Sequence, residues 1–262
     1  MIRAFTSLFA ALFLLAGCAA LSPHQEARNA GNAGHYGVLI MAHGGTEDWN
    51  GAIETMADQI RDEYTVEMAF GMADAGSIQD AVHRLEARGV RQIGVVRLFI
   101  SGDSWFERTG QILGIRPGAP MRDMEEHAAP HHGGHAMAFW RIDTVSSFAL
   151  SEEGLSEAPE MGRVLVERAR QLSTDPQQES VLILAHGPAD DAENQRWLSH
   201  IDARADAVRQ ALPFRHVEVQ TLREDWAEKR AASEQRIRAF VEQAAQQGSP
   251  ALVIPYRVHG FG

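Results

Sequence analysis

Two histidines of this 262-residue chain stand in the same local setting, Met41-Ala42-His43-Gly44 and Leu184-Ala185-His186-Gly187. Neutral imidazole near physiological pH both ligates transition metals and accepts protons, so a histidine at an exposed turn can do either. A third, His259, follows the apolar stretch Val253-Ile254-Pro255-Tyr256-Arg257-Val258, 73 residues after His186. In parallel sheets the carboxyl ends of the strands form the crevice where ligands bind, so His186 and His259 share a cleft if the fold brings their strands together. A histidine that only satisfies loop hydrogen bonds beside a tight turn is the plainer reading of either one alone.

Other side chains near these turns carry chemistry of their own. Asp190, Asp191 and Glu193 follow His186 directly. One of them could orient the imidazole or relay protons, although a helix N-terminus attracts acids for dipole reasons alone. Arg97 and Arg257 lie just before strand ends and could hold carboxylates of a ligand, or simply form surface salt bridges. Between them in the chain, His127, His131, His132 and His135 fall within nine residues of a Pro- and Gly-bearing stretch. A loop of this composition can capture transition metal, or it is a solvated insertion. Ser104, in Gly102-Asp103-Ser104-Trp105, lacks the second glycine of a nucleophile elbow, which ranks an α/β-hydrolase with His259 low. No Gly-x-Gly-x-x-Gly follows a strand and no Walker lysine exists, so nucleotide binding has no support.

The elements that would position these residues alternate. The apolar run ending at Ala42 reads as a strand buried on both faces, and Thr46 or Asp48 caps a helix carrying Ile53, Met56, Ala57 and Ile60. A strand over 66–70, a helix over 77–88 closed by Gly89 and a strand over 93–100 complete the first half. The order returns as a strand from Val181, a helix over 191–212, a strand over 217–222, a helix over 226–247 and a strand over 251–258. The expectation is an α/β protein of two similar halves, each a parallel sheet flanked by helices. The two Ala-His-Gly turns, 143 residues apart in equivalent slots, mark an internal duplication.

This twofold pattern, its two Ala-His-Gly turns and the terminal Tyr256-Arg257-Val258-His259-Gly260 resemble the class II tetrapyrrole chelatases, especially cobaltochelatases acting on sirohydrochlorin. The resemblance covers roughly residues 36–262. It implies a lyase of the chelatase type, as in cobalamin biosynthesis, that inserts a divalent metal into a tetrapyrrole. Cobalt is the first candidate, and nickel, iron and zinc are accepted by the same imidazoles. It also implies His186 and His259 as catalytic metal ligands, since the family places a second metal histidine at the end of a later strand of the same half. Aligning 95–102 with 253–260 sets Ser101 opposite His259, so the first half keeps His43 without its partner. His43 is then a relic or a further ligand, and Arg257 a holder of substrate carboxylates. The chain stops at Phe261-Gly262, where the family continues into a covering helix.

The N-terminus and composition set the remaining expectations. Arg3, the apolar run Leu8–Ala16 and Leu15-Ala16-Gly17-Cys18 read as a lipoprotein signal over 1–17, with Cys18 acylated. A tether over 18–35, an N-terminal half over 36–124, a His-rich insertion over 125–140 and a C-terminal half over 141–262 follow. The expectation is an exported, membrane-anchored, periplasm-facing protein, and with one cysteine an intramolecular disulfide is impossible. Net charge is −11, from 24 basic and 35 acidic residues, which argues against a nucleic-acid partner. Export argues against a biosynthetic enzyme, because tetrapyrrole metallation of this kind is normally cytosolic. A non-catalytic extracytoplasmic protein that binds metal or tetrapyrrole therefore stands as the alternative.

Overall fold

The computed structural model describes residues 36–122 and 137–258. The first sheet contains β1 (Tyr36–Ala42), β2 (Thr65–Phe70), β3 (Gln92–Arg97) and β4 (Ser147–Leu150), in the order β2-β1-β3-β4. The second contains β5 (Ser180–Ala185), β6 (His216–Thr221) and β7 (Ala251–Pro255), in the order β6-β5-β7. Every pairing is parallel. The first half carries α1 (Glu47–Asp58), α2 (Ala75–Ala87) and α3 (Phe106–Ile112), and α4 (Glu160–Leu172), α5 (Asp191–Ala211) and α6 (Ala227–Gln246) follow. Among the described residues no helix is long and apolar enough to cross a membrane.

The expected alternation is present, and the repeat is visible in the registers. Met41 pairs with Arg97, and Leu184 with Pro255, so positions two residues before His43 and His186 meet equivalent rungs. Leu98 N donates to Met41 O at 2.8 Å, and Tyr256 N donates to Leu184 O at 2.8 Å. Gly44 and Gly187 both lie at φ +82°, a left-handed backbone that glycine adopts without steric cost. Thr46 accepts from Trp49 N at 3.3 Å as the N-cap of α1, which leaves Asp48 in the first turn.

Three expectations need correction. The first half takes a fourth strand, β4, from beyond residue 141, so the second half begins near residue 151. Phe139, Trp140 and Ile142 pack on the first core, which is why the chain returns there. The strands expected over 93–100 and 251–258 end at Arg97 and Pro255. Their exits instead cross to the other half: Ile100 belongs to the core under β5 and β7, and Val258 packs against the cluster around Ile40 and Ile53. The short α3, β4 and the helix α4 had no counterpart in the sequence reading.

A seam joins the halves where 151–156 runs beside 95–100. Leu155 N donates to Phe99 O at 2.8 Å and Ser156 N to Ile100 O at 2.7 Å. Gly102 and Gly154 face each other so closely that a Cβ on either would fall within the other segment's backbone. The Glu157 carboxylate accepts from Gly154 N at 3.0 Å and Ser156 Oγ at 2.9 Å, fixing the crossing.

Candidate active site

A cleft of about 470 Å³ opens between the halves at the carboxyl ends of the strands. This is where ligands enter open α/β sheets, and the volume falls in the range of small-molecule sites. His43 and His186 both line it, one from each half, with Glu193 and Ser104 as its other polar groups. Leu98, Phe99 and Ile100 from the exit of β3 and Val258 from the exit of β7 form its apolar floor. Trp49, Trp105, Trp197 and Trp226 wall it, four of the five tryptophans in the chain.

His186 is exposed but oriented. Its Nδ1 lies 3.1 Å from Gly187 O. A carbonyl can only accept, so this bond puts the proton on Nδ1 and leaves the Nε2 lone pair for a metal or a proton. The Trp197 ring meets the imidazole edge to face, with centroids 4.9 Å apart at 75°. Beneath the turn, Thr221 Oγ1 donates to Asn194 Oδ1 at 2.7 Å, and a Cβ on Gly187 would lie 2.6 Å from Thr221 Cβ.

The loop after His186 is held by an arginine that sequence reasoning missed. Arg223, two residues past β6, donates from Nε to Pro188 O at 2.8 Å and from Nη1 to Asp191 Oδ1 at 2.7 Å. Its Nη2 donates to Ala189 O, and its backbone N–H to His186 O. Met72 occupies the same position after β2, and both residues have left-handed φ, 64° and 56°. The first half therefore repeats the backbone but not the clamp. Arg223 carries no periodic signal; only its place after a strand could have marked it.

The three acids separate by environment. Asp190 caps α5, accepting from Glu193 N at 2.7 Å. Asp191 accepts from Lys229 Nζ at 2.6 Å and from Arg223, and these bonds lower its pKa. Only Glu193 lines the cleft.

Arg97 is not a ligand-binding residue. It is 2% exposed, and its guanidinium donates to the carbonyls of Ser151, Ser104, Gly102 and Glu152 at 2.6–3.1 Å, stacked on Phe106. Burial lowers its pKa against the opposing charges of Glu157 and Asp103. Arg257 is exposed and lies outside the lining of the cleft, which Val258 enters instead. Its carbonyl accepts from buried Arg168 Nη2 at 2.9 Å. Ser104 lies seven residues past β3, not at the sharp strand-to-helix turn of an α/β-hydrolase nucleophile. Cys18, His127, His131, His132, His135 and His259 lie outside the described residues. Among the described residues, no group of three or more His, Cys, Asp or Glu side chains could hold a metal ion.

The α/β fold is similar to that of chelatases of known structure. Residues 37–113 match the CbiX family model. The fold is similar to that of "SirB from Bacillus subtilis with Fe3+", at 12% identity and TM-score 0.57 over 87% of this chain and 79% of that one. It is also similar to the sirohydrochlorin chelatase SirB from Bacillus subtilis subspecies spizizenii in complex with cobalt. There the identity is 11% and the TM-score 0.51, over 85% and 87% of the two chains. No curated protein sequence matches the chain.

Proposed function

We propose that this protein is a metal chelatase that inserts a divalent transition metal, cobalt first among the candidates, into a tetrapyrrole of the sirohydrochlorin type. The observation that carries this reading is that His43 and His186, one from each half, line a single tryptophan-walled cleft. The CbiX match and the metal-bearing SirB neighbours support it. In the reaction two pyrrole N–H bonds break, four metal–nitrogen bonds form and two protons leave. His186 Nε2 is free to take the metal from its water shell or to accept a pyrrole proton, and Glu193 offers a second acceptor. His43 is the metal ligand offered by the first half, and His259 is the further metal ligand that the likeness to chelatases implies. A few imidazoles without a closed cage of ligands suit a site that must release its ion. The His127–His135 segment supplies metal to the cleft, and the chain is exported and tethered through lipidated Cys18.

The test is absorbance-monitored insertion of cobalt into sirohydrochlorin by the full-length chain in detergent. His186→Ala is expected to slow insertion about 100-fold or more, and His43→Ala about tenfold or more. A wild-type rate equal to the uncatalysed rate would sink the proposal. The export signal at Cys18 favours a second reading, a non-catalytic binder of metal or tetrapyrrole. Tight binding of both without insertion would establish that one instead.

A further inference from the structure

The walls of the cleft point to how a tetrapyrrole is recognised, on the reading of the cleft as a tetrapyrrole site. Three of its four tryptophans come from the starts of helices that follow strands: Trp49 in the first turn of α1, Trp105 just before α3 and Trp226 just before α6. The fourth, Trp197, lies in the second turn of α5. Trp49 is braced edge-on against Phe70, and Trp105 is held at φ 59°, an unusual backbone for so bulky a residue. Such residues at a cleft indicate a constraint maintained by the surroundings.

The charges around the walls are as informative. No lysine or arginine lines the cleft among the described residues. The basic side chains of the surrounding loops are already engaged. Arg97 donates to backbone carbonyls, Arg223 holds the loop after His186, Lys229 pairs with Asp191, and Arg196 pairs with Asp103 at 3.1 Å. Helix N-termini attract anions, but here each carries its own acid in the first turn: Glu47 and Asp48 in α1, Glu107 in α3, Asp191 and Glu193 in α5, Glu228 in α6. A carboxylate edge of a ligand therefore meets no guanidinium or ammonium partner in the described walls of the cleft.

We propose that this cleft recognises the tetrapyrrole by its faces, through the tryptophan walls, and leaves its peripheral carboxylates in solvent. A ring with few carboxylates then binds at least as well as one with eight. Stacking on tryptophan is an apolar and quadrupolar interaction that salt barely screens, whereas carboxylate pairing weakens as ionic strength rises.

Because most of the tryptophans line the cleft, quenching of intrinsic fluorescence reads occupancy. The full-length chain would be titrated with a metal-free dicarboxylate porphyrin and an octacarboxylate porphyrin, at ~50 mM and ~500 mM salt. The dicarboxylate ring is expected to bind at least as tightly, with a change of less than about threefold between the two salts. Trp226→Leu and Trp49→Leu should each weaken it about tenfold, and the Phe variants, which keep a ring and the fold, less than about threefold. An octacarboxylate ring bound about tenfold or more tightly, with salt-sensitive affinity, would overturn the inference and leave the chelatase reading intact. So would a tenfold loss of that ring alone on Arg257→Gln, or Leu variants that remain folded and bind as wild type. Failure of both rings to bind would bring down the tetrapyrrole reading itself, and the inference with it.

Discussion

Ile100 and Val258 occupy equivalent positions three residues past the ends of β3 and β7, and each packs into the other half's core. The halves therefore exchange apolar side chains across the site, and unfolding one removes a core residue from the other. Ile100 is 6% exposed, so Ile100→Ala is expected to cost ~2–4 kcal/mol. Val258 is smaller and half-buried, and Val258→Ala should cost ~1 kcal/mol. Urea unfolding should follow one transition by tryptophan fluorescence and circular dichroism alike; two separate transitions would contradict the exchange.

The shared φ of Gly44 and Gly187 hides unequal surroundings. A Cβ on Gly44 would lie 3.2 Å from Phe70 Cβ, whereas one on Gly187 would meet Thr221, Arg223 and Asn194 together. Gly187→Ala should thus destabilise by ~3 kcal/mol or more and Gly44→Ala by ~1–2 kcal/mol, the latter mostly from the left-handed backbone. Denaturation midpoints of the two variants decide this, and equal shifts would refute it.

Arg97 ties the carbonyls of Gly102 and Ser104, beside Trp105, to those of Ser151 and Glu152 across the seam. Lysine offers a compact ammonium in place of the planar fork, so Arg97→Lys should lose ~2–4 kcal/mol of stability despite keeping the charge. Thermal unfolding of the variant measures it. A loss below ~1 kcal/mol would mean that the carbonyls find other donors.

Glu179, 3% exposed at the start of β5, provides a pH-dependent contribution. Burial raises its pKa, but bonds from Ser173 Oγ, the backbone N–H groups of Thr174 and Asp175 and the Thr174 hydroxyl outweigh that and leave it below 4.5. The folded pKa is thus depressed. Its stabilisation is fully present above the unfolded value and is lost as pH falls through the folded one. Glu179→Gln should lower stability near neutrality by ~1–3 kcal/mol and flatten the decline of stability below about pH 4.5. Parallel wild-type and variant curves in that range would show that another carboxylate is responsible.

The parts legible in the sequence were those with a strong local signal. The apolar runs of β1 and β5 and the glycines that close α2 and α6 locate their elements, and the Ala-His-Gly turns locate the two histidines of the cleft. The short β4 and α3 leave too little periodicity to be read. The exits past Arg97 and Pro255 look like strand continuations because their apolar residues are buried, and only the tertiary fold shows that they are buried in the opposite half. Charge type alone left Arg97 open between ligand carboxylates and surface salt bridges, and it makes neither its main contact. A guanidinium near a strand end can face a ligand or the chain's own carbonyls, and the packing of 151–157 decides between them.

The seam at Gly102 and Gly154 bears on how the site meets its ligand. Backbone there touches backbone, with amide bonds on either side and no side chain to act as a cushion. The jaws of the cleft are consequently set at a fixed gauge. A slot of constant width sorts its visitors by thickness, and on the proposed tetrapyrrole reading it would admit one flat ring, while the stacked pairs that such rings form in water would have to come apart first.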